Sequence, residues 1–216
     1  MNSILVLLQK EFTLEFRQKY AIGGVFLYVF STVFIVYSAF IQIPVTVWNV
    51  QFWLIILFAA VNAFLKSFVS ENNDKQLYLY QLVSPLAVII SKLIYNLLIL
   101  LMITGLAFLA LVLLAGNPVR DAGLFFLTAL VGAAGISIAF TFIAAIASKG
   151  SNQATLMAIL GFPVIIPILL TIMKLSANAL GLIQDTAILS DLGILLGLDA
   201  LLLSLTLLLF PFLWKD

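Results

Sequence analysis

The chain has 216 residues, 64% of them hydrophobic and 9% charged, with a mean hydropathy of +1.26. A soluble domain carries about 25% charged residues, so the composition excludes an ordinary water-soluble fold and describes an integral membrane protein. A net charge of +1 leaves no basic field for nucleic acid, and the absence of Cys and His removes disulfides, Cys or His metal sites, Cys or His nucleophile and base roles, and His ligation of a haem iron by this chain.

Residues 1–20 do not read as a signal peptide, because Glu11 and Glu15 lie among the basic residues and the apolar run that follows is too long. Leu5, Leu8, Phe12 and Phe16 form an apolar helical stripe, with Lys10, Thr13 and Arg17 opposite. That pattern predicts an interfacial helix leading into the first span.

Six apolar runs follow, at 21–43, 47–65, 93–115, 122–147, 154–173 and 192–214. Each is near or above the roughly 20 helical residues that cross a hydrocarbon core about 30 Å thick. The runs are solidly apolar rather than alternating with period two, which favours helices over a barrel. The expected fold is all-α: one transmembrane domain over 1–216 with six transmembrane helices, an N-terminal interfacial helix and a cytoplasmic coupling helix between the second and third spans.

Basic residues beside the spans set the orientation. With the N-terminus inside, Lys10, Arg17, Lys19, Lys66, Lys75, Lys92, Lys149 and Lys215 are cytoplasmic, against Arg120 and Lys174 outside. Both termini and the 66–92 segment are then cytoplasmic, with Trp48 in the outer aromatic belt and Tyr20 and Trp214 in the inner one.

The segment 66–92, KSFVSENNDKQLYLYQLVSPLAVIISK, is the one long polar interruption. Leu79, Leu82 and Val83 share one helical side while Asp74, Tyr78 and Gln81 share another. Ser84-Pro85 ends this short two-faced helix, since proline disfavours a helical residue before it, and opens a second, with Ser84 as cap and Pro85 at its first position. A plain solvated loop is the competing reading.

Inside the spans, Gly105, Gly132, Gly135 and Gly161 let helix backbones approach closely. Asp199 is the single acid well within a span, and such a residue is costly in lipid unless it faces the bundle or water. Asn62, Asn96, Thr104 and Thr141 are its candidate partners. Pro163 and Pro167 each remove an intrahelical hydrogen bond and kink the fifth span. Asn62, Asn96, Thr141, Pro163, Pro167 and Asp199 are therefore the candidate pathway or gating residues. The connection 175–191 suits either a segment dipping into the outer leaflet or an exposed loop. No phosphate loop, dinucleotide fingerprint, serine nucleophile elbow or carboxylate cluster within a span is present, so no catalytic, cofactor-binding or metal residues are assigned and the chain is expected not to be an enzyme.

The run from Glu71 through Leu77, Leu82, Ser84-Pro85-Leu86 to Lys92 resembles the cytoplasmic coupling segment of type-2 ABC exporter membrane subunits. LLQKEFTLEFRQKYAIGG, LVSPLAVIISKLIYN, SKGSNQATLMAILGFPVIIPILL and LGLDALLLSLTLLLFPF, in that order, resemble one branch of that superfamily, the cytochrome c maturation protein B family. Asn72, Asn73 and Lys75 depart from it, standing where relatives are often acidic or carry glycine.

The resemblance implies the permease subunit of a haem exporter for cytochrome c biogenesis in the bacterial inner membrane. It further implies a dimeric arrangement, a separate cytoplasmic ATPase that binds the ATP, a haem-handling membrane partner and haem as cargo. Glu71, Asp74, Lys75, Tyr78, Gln81, Ser84 and Pro85 would contact the ATPase. An exporter of a lipid, glycan or drug and a non-transporting assembly scaffold are the alternatives.

Overall fold

The computed structural model of the protein describes residues 3–17, 19–69, 83–148, 150 and 152–215. These residues form helices α1 (Ser3–Arg17), α2 (Lys19–Ala39), α3 (Val45–Val69), α4 (Pro85–Ala115), α5 (Ala122–Ala147), α6 (Gln153–Ala179) and α7 (Ile188–Lys215), with no strand among them. Five of these helices, α3 to α7, are long and apolar enough to cross a membrane. The described apolar part of α2 is shorter, Gly23–Ala39. The protein is thus an all-helical, multi-pass membrane protein.

Polar residues punctuate the helices where the sequence supplies them. Ser84 takes an extended backbone (φ −67°, ψ 142°) and its hydroxyl accepts the Ala87 N–H at 3.4 Å, with Pro85 at the first helical position. Asp121 and Asn152 cap α5 and α6 in the same way, accepting from Leu124 and Thr155. At the far end of α4, Gly116 adopts φ +81°, a left-handed value that side chains disfavour, and its N–H closes on the Val112 carbonyl.

The centre of the bundle is α5, which packs against α3, α4, α6 and α7. Of the residues along its apolar stretch 72% are buried, against 22% for α7, which presents only one stripe inward. That stripe is Leu195, Asp199, Leu202, Thr206 and Phe210. Small residues explain α5's central position: a Cβ built on Gly132 would press on Trp53 and Ile172, and one on Gly135 would overlap the Asp199 carboxyl. Gly105 behaves differently, with no atom near such a Cβ.

Two sequence expectations change here, and one open alternative is decided. Trp48 does not face outward as a belt residue would: it is 1% exposed, stacked on Phe52 at 5.6 Å between ring centroids and tilted against Phe125 at 5.8 Å. Its ring fills the space where α3, α4 and α5 meet, which buries far more apolar surface than an interfacial position would.

Secondly, of the two readings of the connection 175–191 the dipping segment is not formed, and residues 181–184 are an exposed loop. Helix α6 runs on to Ala179 and closes with Gly181 at φ +70°, where the Leu182 N–H reaches the Ala177 carbonyl and the Gly181 N–H reaches that of Asn178, both at 2.9 Å. The link to α7 is therefore short.

Thirdly, the predicted stripe of α1 is divided. Leu5 is 61% exposed while Phe12 packs on Tyr95 of α4, and Leu7 and Glu11, outside the stripe, also turn inward.

Candidate functional site

The residues predicted to meet an ATPase divide in two. Glu71, Asp74, Lys75, Tyr78 and Gln81 lie outside the described residues. Ser84 and Pro85 are seen, and they form the capped start that the sequence anticipated, from which α4 runs uninterrupted for 31 residues; the helix expected before them lies outside the described residues. Lys92 lies inside this helix, with its side chain 2% exposed.

Burial of a lysine is costly unless charge and hydrogen bonds compensate. Part of the compensation comes from α1: Glu11 Oε1 lies 3.9 Å from Lys92 Nζ and 3.9 Å from Lys10 Nζ. One turn further along α4, Tyr95 meets Phe12 of α1 edge to face, with centroids 5.2 Å apart and planes at 74°. Helix α1 packs against α4 and only then against its sequence neighbour α2. The corner, the buried lysine and the N-terminal helix thus form one assembly at one end of the bundle.

Of the candidate pathway residues, Asn96 and Thr141 meet and the others lie apart from them. Asn96 donates to the Thr141 hydroxyl at 2.8 Å, joining α4 to α5, and Thr141 in turn donates to the Ser137 carbonyl at 2.7 Å. Asn62 is exposed on α3 and donates to its own helix at Phe58. Pro163 and Pro167 both lie on the exposed side of α6. Thr104 bonds back to Leu100.

Asp199 therefore has none of the partners anticipated for it. The residue is 7% exposed, its carboxyl is seated against Gly135 of α5, and Oδ1 accepts no hydrogen bond from the described residues. A glycine carries no polar signal, and this pairing was not readable from residue types.

A buried network that sequence reading missed joins α3 to α6. Trp53 Nε1 donates to Ser176 Oγ at 2.8 Å, Ser176 Oγ lies 2.7 Å from Asn49 Oδ1, and Asn49 Nδ2 reaches the Met173 carbonyl at 3.2 Å. The i, i+4 spacing of Asn49 and Trp53, two hydrogen-bonding side chains in an apolar helix, was the available signal.

At the opposite end of the bundle from Pro85, a second polar assembly ties the helix ends together. Lys174 bridges Asp185 at 2.7 Å and Asp191 at 2.8 Å. Hydrogen bonding to the Lys174 ammonium, reinforced by the Ala187 N–H, holds the Asp185 carboxyl below the usual carboxylate range. The Ala179 carbonyl accepts two backbone N–H groups from the α4–α5 link, those of Arg120 at 3.1 Å and Asp121 at 2.9 Å.

The corner, the long apolar helices and the family motifs can be set beside known proteins. The model of the CcmB protein family matches residues 2–214. The chain belongs to the CcmB family. The match runs through every described helix and includes all four stretches on which the resemblance to cytochrome c maturation protein B rests. No curated protein and no solved structure matches the chain. CcmB membership and the five long apolar helices together describe a multi-pass membrane component of cytochrome c biogenesis.

Proposed function

We propose that this protein is the permease subunit of an ABC transporter that exports or delivers haem for cytochrome c biogenesis. The observation that carries the reading is the match to the CcmB family over residues 2–214. In this reading the subunit does not hydrolyse ATP itself. A separate cytoplasmic ATPase docks on 71–85 and supplies the work, and a haem-handling membrane subunit shares the cargo.

The protein would sit in the bacterial inner membrane as a homodimer within the complex, with both termini cytoplasmic. Six spans suit this arrangement. The whole of α2 is 21 residues long, which at 1.5 Å per residue is about 30 Å and enough to act as the first span. Mechanically, closure of the ATPase pair would press on the segment before Ser84, and the proline corner would turn that push into a movement of α4. The capped, proline-started helix supports this, because a helix that begins at the corner without a break moves as one rod.

The test is a haem stain for covalently bound c-type cytochromes in a strain lacking the gene, with b-type haem spectra and a rescue plasmid as controls. The expected result is selective loss of c-type signal, restored by the plasmid. Unchanged c-type cytochromes, with no second copy of the gene present, overturn the haem reading and leave an exporter of another cargo.

A further inference from the structure

We propose that α1 is a strap fastened to α4 by the Glu11–Lys92 ion pair, and that strap and corner move as one body. The inference rests on the permease reading for what drives the movement, but its structural part stands apart from any cargo.

Four observations carry it. Lys92 lies seven residues into α4 after Pro85, about 10 Å along the axis and two turns from the corner. Its side chain is 2% exposed and points into the seam with α1, where Glu11, itself 13% exposed, answers it at 3.9 Å. Phe12 and Tyr95 close the same seam by edge-to-face contact. Finally, α1 turns Leu7 and Glu11 inward while leaving Leu5 61% exposed.

The docking identifies the fastening: the face that α1 turns to α4 brings a carboxylate to a buried ammonium and seats Phe12 on Tyr95. A 15-residue helix is marginal in isolation, so its position is set by what it docks on. Since α1 docks on α4 within two turns of Ser84, a displacement of the corner displaces α1 with it. The glutamate also sits between two lysines, Lys10 and Lys92, so reversing its charge would place three cations together.

The chain has no cysteine, which makes an introduced pair unambiguous. Phe12→Cys with Tyr95→Cys, expressed with the rest of the complex in native membranes, should join efficiently under a short thiol-to-thiol crosslinker. Adding Glu11→Lys should cut the yield at least five-fold, and adding Lys92→Glu to that chain should restore it. An unchanged yield with Glu11→Lys, or no recovery in the swapped pair, overturns the fastening. Glu11→Gln serves as the milder variant should the reversed chain not accumulate, with an intermediate yield expected and an unchanged yield counting against the proposal.

The second arm measures ATP hydrolysis by the purified complex before and after crosslinking. Retention within about two-fold is expected if strap and corner travel together. Loss on crosslinking, absent from the single-cysteine controls, would mean that α1 must part from α4. If the uncrosslinked complex hydrolyses no ATP, the permease reading fails while the crosslinking arm still decides the fastening.

Discussion

Gly135 and Asp199 show how one missing methyl sets a helix contact. A Cβ at Gly135 would overlap the Asp199 carboxyl, so Gly135→Ala must push α7 outward or twist the acid from its seat. Overpacking of this kind costs about 1–3 kcal/mol. The variant should lower the apparent Tm of the detergent-purified protein. Gly105→Ala, with open space around its Cβ, should leave the Tm unchanged, and shortening the acid with Asp199→Ser should recover part of the loss in the Gly135→Ala chain. A Gly135→Ala protein as stable as the parent would show that α7 is not held this closely. The residue scale is also where sequence reading reached least far. That Asp199 matters follows from its place in an apolar run, but polar candidates for its partner, such as Asn96 and Thr141, satisfy one another instead. Nothing in a residue list ranks a glycine above an asparagine as the neighbour of a carboxyl.

Helix by helix, the agreement was better. The apolar runs at 122–147 and the capped start at Ser84-Pro85 appear as expected, because long uncharged runs and proline at a first turn report local energetics that packing seldom overrides. Helix faces were less legible. The face that α1 buries depends on Lys92, which is far away in the chain, and Trp48 is drawn inward by the aromatic rings of Phe52, Phe108 and Phe125. Two predictions belong at this scale. Ser176→Ala strips the acceptor from Trp53 Nε1 and a hydrogen bond from Asn49. Leaving buried polar groups unpaired costs about 1–3 kcal/mol, and the loosened α3–α6 contact should appear as a lower Tm, with Trp53→Phe on the same chain losing less than it does alone. Glu71→Lys is a change in the segment before the corner. It should insert and accumulate normally yet uncouple ATP hydrolysis from c-type cytochrome production, and a variant that simply fails to accumulate would instead mark the segment as structural.

For the molecule as a whole, the two ends of the bundle are built differently. One end carries the corner and its strap, and the other is tied by Lys174, Asp185 and Asp191. Because the Asp185 carboxyl is held below its usual range by Lys174, its anchoring is present above the ordinary carboxylate pKa of about 3.9 and fades as pH falls through the lower folded-state value. A spin label at Leu182→Cys should keep the same mobility from pH 8 to pH 5 and loosen only in stronger acid. With Lys174→Met the label should be mobile throughout, and loosening of the parent near neutral pH would contradict the assignment. The backbone adds its own tie, for the Ala179 carbonyl takes both the Arg120 and the Asp121 N–H. A carbonyl shared this way pins the start of α5, just beyond the Gly116 cap of α4. Helix α4 is 31 residues long, about 45 Å from Ala115 to Pro85, so a tilt of only about 5° about that end swings the proline end by about 4 Å. A push of a few ångströms at the corner can therefore be taken up as a slight lean of the whole rod, with no helix broken and no hydrogen bond of the pinned end given up.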